Sequence, residues 1–333
     1  MTSPPLLPRV EGLYCPAGDF FIDPVRPVER ALVTHGHADH ARAGHRAVLA
    51  TAETLDIMAI RYGPDFARET QAADSAWITL GESRVRFVPA GHILGSAQIV
   101  VEVGGTRVVA GGDFKRGSDP TCAEFELVPC DVFISEATFG LPVFRHPPAR
   151  DEIGKLIASL GVNVHRTHLV GAYALGKAQR VIRLLRDAGY DAPIFLHGSL
   201  QRLCDYYQSR GVALGRLLPA TVDAPRDGFA GRVVIGPPTS FGTPWARRFA
   251  DPMIAFASGW MGVRPRIRQR GVELPLVISD HSDWPELTQT IEDVGAEQIW
   301  VTHGQEEALV RWCELQGIRA RPLNLVGYEE EPE

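Results

Sequence analysis

The sequence has no long apolar run. No stretch approaches the roughly 20 residues that a membrane helix needs, and the opening MTSPPLLPRV is too short and proline-rich for an export signal. A membrane partner is not expected, and the protein is expected in the cytoplasm. Cysteine is sparse: Cys15, Cys122, Cys130, Cys204 and Cys313, with no CxxC pair among them. An odd number without that spacing argues for free structural thiols and against a zinc ribbon or a disulfide framework. Positive charge is lacking overall. The formal net charge is −6, which by itself disfavours a polyanionic partner.

The distribution of charge reverses that impression. Residues 141–270 carry 19 Lys and Arg against 8 Asp and Glu, while the rest of the chain carries 15 against 32. Such segregation points to a basic module facing a polyanion and an acidic module holding cations. With 333 residues, 45% of them hydrophobic, and 33 Gly and 25 Pro, the chain can bury a large core rich in strands and turns. Short strands are expected at 30–33, 85–88, 99–103, 107–110 and 132–135. A helix is expected over 52–61, with Thr51 as its cap. From residue 150 helices and strands alternate, with helices at 152–160, 177–188 and 200–210 and strands at 194–196 and 233–235, the rhythm of a parallel α/β module. After residue 271 follow a strand at 274–279, a helix at 284–294, a strand at 298–302, a helix at 305–316 and an acidic tail at 328–333.

The strongest chemical signal is His35-Gly36-His37-Ala38-Asp39-His40, directly after an apolar strand. Three imidazoles and a carboxylate within six positions cannot all pack in a core, because each needs a polar partner. His35 and His37 can converge on one metal while Asp39 and His40, around the turn, face a second; the donor types suit Zn²⁺ and also Mn²⁺ or Fe²⁺. His92, in Ala90-Gly91-His92-Ile93-Leu94-Gly95-Ser96, and Asp113, in Gly111-Gly112-Asp113, have the same post-strand setting. They supply a third imidazole and a carboxylate able to bridge. The remaining His45, His146, His165, His168 and His197 read as structural or surface residues.

These tracts resemble the successive ligand motifs of the metallo-β-lactamase superfamily, and Asp23 in Phe21-Ile22-Asp23-Pro24 resembles that fold's supporting aspartate behind the ligands. Ser135-Glu136-Ala137-Thr138, Ser279-Asp280-His281-Ser282-Asp283 and Thr302-His303-Gly304-Gln305 are similar to motifs A, B and C of the β-CASP nucleases, and 173–180 resembles a segment of their inserted module. Essentially the whole chain from Gly12 onward, including Ala257-Ser258-Gly259-Trp260-Met261, resembles bacterial ligase-associated DNA exonucleases. The resemblance implies an α/β protein: a metallo-β-lactamase αβ/βα sandwich from residues 1–140 and 271–333, with a basic parallel α/β β-CASP domain inserted at 141–270.

It also implies a site. His35, His37 and His92 would bind one divalent metal, Asp39, His40 and His303 the other, with Asp113 between them and Zn²⁺ expected ahead of Mn²⁺. Two metals about 4 Å apart would hold a hydroxide that attacks the scissile phosphate. His281, oriented by Glu136, would serve the leaving oxygen. Lys177, Arg180, Arg264, Arg266, Arg268 and Arg270 are the phosphate-contact candidates; Trp260 is read as core ahead of base stacking. The function so implied is a DNA exonuclease of repair, associated with an ATP-dependent DNA ligase and a helicase. The alternatives are a β-CASP ribonuclease, because His303 at motif C is what RNA-processing members carry, and a small-molecule metallo-hydrolase, which would need neither the basic module nor motif B.

Overall fold

The computed structural model describes residues 4–221, 228–269, 271–323 and 325. Short strands lead the chain: β1 (Leu7–Arg9), β2 (Gly12–Cys15), β3 (Phe20–Ile22), β4 (Arg30–Leu32) and β5 (His45–Ala50). Helix α1 (Ala52–Tyr62) precedes β6 (Ala67–Ala72), β7 (Ile78–Leu80), β8 (Ser83–Pro89), β9 (Ala97–Val103), β10 (Thr106–Ala110) and β11 (Val132–Ala137). Alternation follows: α2 (Ala149–Val162), β12 (His168–Gly171), α3 (Lys177–Asp187), β13 (Ile194–Leu196), α4 (Gly198–Ser209) and β14 (Leu217–Pro219). It continues through β15 (Val233–Gly236), β16 (Met253–Ala257), the short α5 (Arg264–Gln269) and β17 (Leu274–Leu276). The chain closes with α6 (Trp284–Val294), β18 (Gln298–Gly304), α7 (Glu306–Leu315) and β19 (Arg319–Pro322).

Two compact units result: the described residues of Met1–Arg145 with His281–Pro332, and those of His146–Asp280. The first unit holds two mixed sheets, ordered β1-β2-β3-β4-β5-β6 and β19-β18-β11-β10-β9-β8-β7. Side chains alternate along each strand, so each sheet has two faces to cover. In β9, Ile99 and Val101 point into a core shared with Leu13, Phe20 and Leu32 of the other sheet, while Val100 points outward. That outer face is covered by Leu287 and Ile291 of α6 and Leu309 and Cys313 of α7. On the far side of the other sheet, Ala31, Val33 and Val48 pack against Met58 of α1. The layers run helix, sheet, sheet, helix. Each large side chain sealed between them contributes roughly 1.5–3 kcal/mol. As expected, Thr51 caps α1, its Oγ1 accepting from Thr54 N at 3.2 Å.

The second unit is one parallel sheet, ordered β14-β13-β15-β12-β16-β17. Its continuous apolar strands, such as Val233–Gly236, are buried on both faces, which is what helices on each side of a parallel sheet require. Among the described residues, no helix is long and apolar enough to cross a membrane.

His45, at the start of β5, accepts a hydrogen bond from Val28 N at 3.3 Å, and burial pushes its imidazole down to about 4 from an ordinary 6.5. The folded protein therefore keeps His45 neutral where the unfolded chain would protonate it. Its contribution is complete above pH 6.5 and is lost as pH falls towards 4. Urea midpoints compared between wild type and His45→Asn, which keeps an acceptor for Val28, are expected to diverge across that window by on the order of 2 kcal/mol, with the wild type falling more steeply.

Candidate metal centre

The ligand candidates converge because each stands at the end of a strand of the first unit. After β4 the chain passes Thr34 and enters the His35–His40 turn. Asp23, just beyond β3 and held at φ 44°, accepts from Thr34 N at 2.7 Å and from Thr34 Oγ1 at 2.6 Å. Its second oxygen also accepts from His40 Nδ1 at 2.8 Å. With its proton given to Asp23, the Thr34 oxygen faces His35 Nδ1 at 3.1 Å and accepts from it. Both rings are thereby oriented with Nδ1 bonded on the outside and Nε2 turned inward.

His92 sits in the loop between β8 and β9. Its backbone N–H and that of Ile93 both donate to Ser96 Oγ at 3.1 Å. Gly91, at φ 75°, is required there, since a Cβ would lie 2.2 Å from the Lys115 carbonyl oxygen. Gly112 brings Asp113 against Thr34 in the same manner, with room for a Cβ only 2.9 Å from that side chain. His303, next to last in β18, is in the left-handed region at φ 56°, its ring stacked on His40 with centroids 4.6 Å apart.

Two groups of donors result, each with its ligand atoms within 4.8 Å of one another: His35, His37, His92 and Asp113, and Asp39, His40 and His303. In the first, His37 Nδ1 lies 3.2 Å from His35 Nε2 and 3.0 Å from His92 Nε2. Asp113 Oδ2 lies 3.3 Å from His35 Nε2, 3.7 Å from His92 Nε2 and 3.5 Å from His40 Nε2, so one oxygen faces both groups. Four ligands at bonds of about 2.0 Å around a tetrahedral ion would be spaced by about 3.3 Å, so the donor set fits a divalent metal.

The electrostatics agree with that fit. Burial holds His35 well below its usual range and pushes His303 down to about 3. Burial would lower His40 too, but the carboxylates of Asp113, Asp39 and Asp23 outweigh it and raise the ring to about 10. Burial raises Asp113 to about 7, with Glu136 and Asp39 adding to it against His40 and His281. Crowded donors of this kind, taken out of water, need a cation to receive their lone pairs.

Beside them, His281 Nδ1 donates to Glu136 Oε2 at 2.9 Å, and Glu136 Oε1 accepts from Phe114 N at 2.8 Å. Glu136 stands where the pairing of β11 with β18 shifts register: Ser135 pairs with Val301 and Ala137 with Gly304, so the extra residue lies in β18, at Thr302–His303. The His281 and His92 rings are 4.5 Å apart. The arrangement places an imidazole, oriented by a fixed carboxylate, next to a potential metal pair.

The other expected residues are distributed differently. Arg264 and Arg268 are exposed on α5, and Arg266 lies 3.9 Å over the ring of half-buried Trp260. Arg270 is outside the described residues, as is the expected acidic tail. Lys177 and Arg180 require a correction: expected as phosphate contacts, both are buried, Lys177 paired with Asp280 and Arg180 donating to the Ser279 carbonyl. Their partners are about a hundred positions away, so no local pattern marks them. Thr34 and Ser96, which orient three of the histidines, were also missed; a hydroxyl beside a histidine motif was the only sign.

No family model matches the chain. It is similar to a protein named probable DNA ligase from Opitutus terrae, at 29% identity over 93% of this chain and 30% of that protein. It is also similar to an RNase J-like protein of Methanocaldococcus jannaschii, at 27% identity over 55% of this chain and 51% of that one. A third relative, endoribonuclease YSH1 of Mycosarcoma maydis, is 26% identical over 53% of this chain and 25% of its own length. The chain thus spans about half or less of each of these curated relatives. Among solved structures, a protein of unknown function from Enterococcus faecalis V583 aligns at a TM-score of 0.58, with 12% identity, over 88% of this chain and 78% of that one. That likeness shows the fold alone.

Gly304 tests the geometry. At φ 100°, with a Cβ that would fall 2.3 Å from the Ala137 carbonyl oxygen, it lets His303 close the second donor group. Gly304→Ala is expected to cost about 2–4 kcal/mol in urea unfolding, whereas Gly317→Ala, strained at φ 76° but with nothing within 4 Å, should cost about 1 kcal/mol.

Proposed function

We propose that the chain is a two-metal phosphodiesterase of the metallo-β-lactamase and β-CASP kind, acting as a DNA exonuclease in repair, with the second unit as the inserted β-CASP domain. The observation that carries the reading is Asp113 Oδ2, which lies within 3.7 Å of imidazole nitrogens from both donor groups. His35, His37 and His92 would hold one metal, Asp39, His40 and His303 the other, and Asp113 both. When bound, a pair of Zn²⁺ or Mn²⁺ ions supplies activation of water and neutralisation of phosphate charge. The chain's own groups do the rest. Asp23 orients His40 from behind, Glu136 accepts the Nδ1 proton of His281, and His281 Nε2 is left to handle a proton at the leaving oxygen. Arg264 and Arg268, exposed and basic, are the phosphate contacts that supply affinity without sequence readout.

DNA is favoured as substrate because the likeness to a protein named as a DNA ligase runs along 93% of this chain, against 55% and 53% for the relatives with ribonuclease names. The same likeness supports work beside an ATP-dependent DNA ligase. RNA is the second reading, favoured by His303 in its third motif and by those ribonuclease names. A small-molecule hydrolase would leave the basic surface without a task.

End-labelled single-stranded DNA and matching RNA, incubated with Zn²⁺- or Mn²⁺-reconstituted protein, decide between these readings. Stepwise shortening of DNA that falls at least about a thousandfold in Asp113→Ala is expected. Cleavage of RNA alone establishes the second reading, and cleavage of neither overturns the nuclease. Independently, elemental analysis should find two metals per chain, about one fewer in His92→Ala and in His303→Ala, and Asp23→Asn should weaken metal binding about 10- to 100-fold.

A further inference from the structure

Lys177 and Arg180 stand in the first turn of α3, each 4% exposed. Their charged ends face a segment of their own unit: Lys177 Nζ pairs with the carboxylate of Asp280, itself 4% exposed, and the Arg180 guanidinium donates to the Ser279 carbonyl. A buried ion pair is a poor source of net stability, because desolvation offsets most of the attraction; what it can supply is a fixed register. The segment held here directly follows β17, where Glu152 Oε2 already accepts from Val277 N at 2.9 Å.

The residues that follow Asp280 in the chain are held as closely within the first unit. Lys115 Nζ reaches the His281 carbonyl at 3.5 Å, and Ser282 N donates to the Phe114 carbonyl at 2.8 Å. Asp283 caps α6, accepting from Glu286 N at 3.1 Å. Each residue from Ser279 to Asp283 is therefore tied by a hydrogen bond or ion pair of its own. A stretch that served only as a connection would not need a buried lysine and a buried arginine at one end.

We infer that Lys177 and Arg180 are positioning residues: by clamping Asp280 and Ser279 they set the point of the chain from which the next residue, His281, is presented. The inference rests on the proposed reading of His281 as the proton-handling group. A misplacement of about 1 Å at such a group can cost on the order of a hundredfold in rate, so the clamp acts on turnover and not on substrate affinity.

The test uses the metal-loaded full chain as Arg180→Met, Arg180→Lys and Lys177→Met, with kcat, KM and salt dependence measured on end-labelled DNA. Metal content and hydrogen exchange of the 277–283 segment are followed alongside. Arg180→Met and Lys177→Met are expected to lose about 10- to 100-fold in kcat, with KM within about threefold, the salt slope unchanged and two metals retained. Arg180→Lys, which keeps a donor for the Ser279 carbonyl, should recover most of kcat. If Lys177→Met fails to fold, the two Arg180 variants carry the comparison alone. A raised KM with a shallower salt slope and intact kcat would overturn the proposal, because it would mark the pair as phosphate contacts. Unchanged kinetics with unchanged exchange would overturn it equally. If wild type cuts nothing, the nuclease reading falls by itself. The clamp is then judged by exchange, which must quicken in Arg180→Met and not in Arg180→Lys.

Discussion

One buried carboxylate, that of Asp113, is the constraint around which the first unit is arranged. Its Oδ2 stands among the inward nitrogens of His35, His40 and His92, and nothing about Asp113 alone could hold it there. Gly112 lets the end of β10 approach Thr34, Thr34 spends its proton on Asp23, and Asp23 turns His40. The ring that results faces Asp113 again. The loop is closed: removing any hydroxyl or carboxylate in it leaves a buried polar atom unmet, at about 1–3 kcal/mol. A site of this kind is specified more by its supports than by its ligands, since histidines without oriented lone pairs would not converge.

Two of the four non-glycine residues with positive φ among the described residues fall in the same place. Asp23 and His303 both adopt positive φ without being glycine, a conformation that costs on the order of 1–3 kcal/mol where the surroundings do not over-determine it. Here they do. Asp23 N is bonded to the Leu32 carbonyl and its side chain takes three donors, while His303 is stacked on His40 and followed by a glycine pressed against Ala137. The strain falls at the ends of β3 and β18, where a strand must stop running straight and deliver a side chain sideways. In β18 the strain coincides with a bulge: Ser135 and Ala137 of β11 pair with Val301 and Gly304, which leaves the extra residue of β18 beside His303.

Much of this was readable in the sequence, and the reason is spacing. Four donors between His35 and His40 are close in the chain, so their chemistry shows without a fold. His92 and Asp113 carry the same strand-then-turn setting and could be grouped with them by type, whereas His303 was reached only through the resemblance of its tract to a family motif. The helices at Ala52–Tyr62 and Trp284–Val294 were legible from periodicity and caps to within a residue. Strands of three or four residues such as Leu7–Arg9, Gly12–Cys15 and Phe20–Ile22 were not, because so short a run has no period to detect. Ser96 and Thr34 were invisible for another reason: a hydroxyl in a turn satisfies many local patterns, and its partner is known only after folding.

Lys177 and Arg180 mark the limit of reading charge from a sequence. A lysine and an arginine three positions apart at a helix start are usually solvated, and in a basic stretch they invite assignment to a polyanion. The structure instead matches them to one carboxylate and one carbonyl that arrive from the far end of the same unit. The net charge of a segment counts such internal pairs as though they were surface. The basic surface of the second unit is therefore smaller than its composition implies, and its exposed part includes Arg264 and Arg268 of α5. Electrostatic attraction to a polyanion depends on those exposed charges and is screened by salt, whereas the buried pair is screened little and acts through geometry. Burial, which composition does not report, separates the exposed cations from those paired inside the unit.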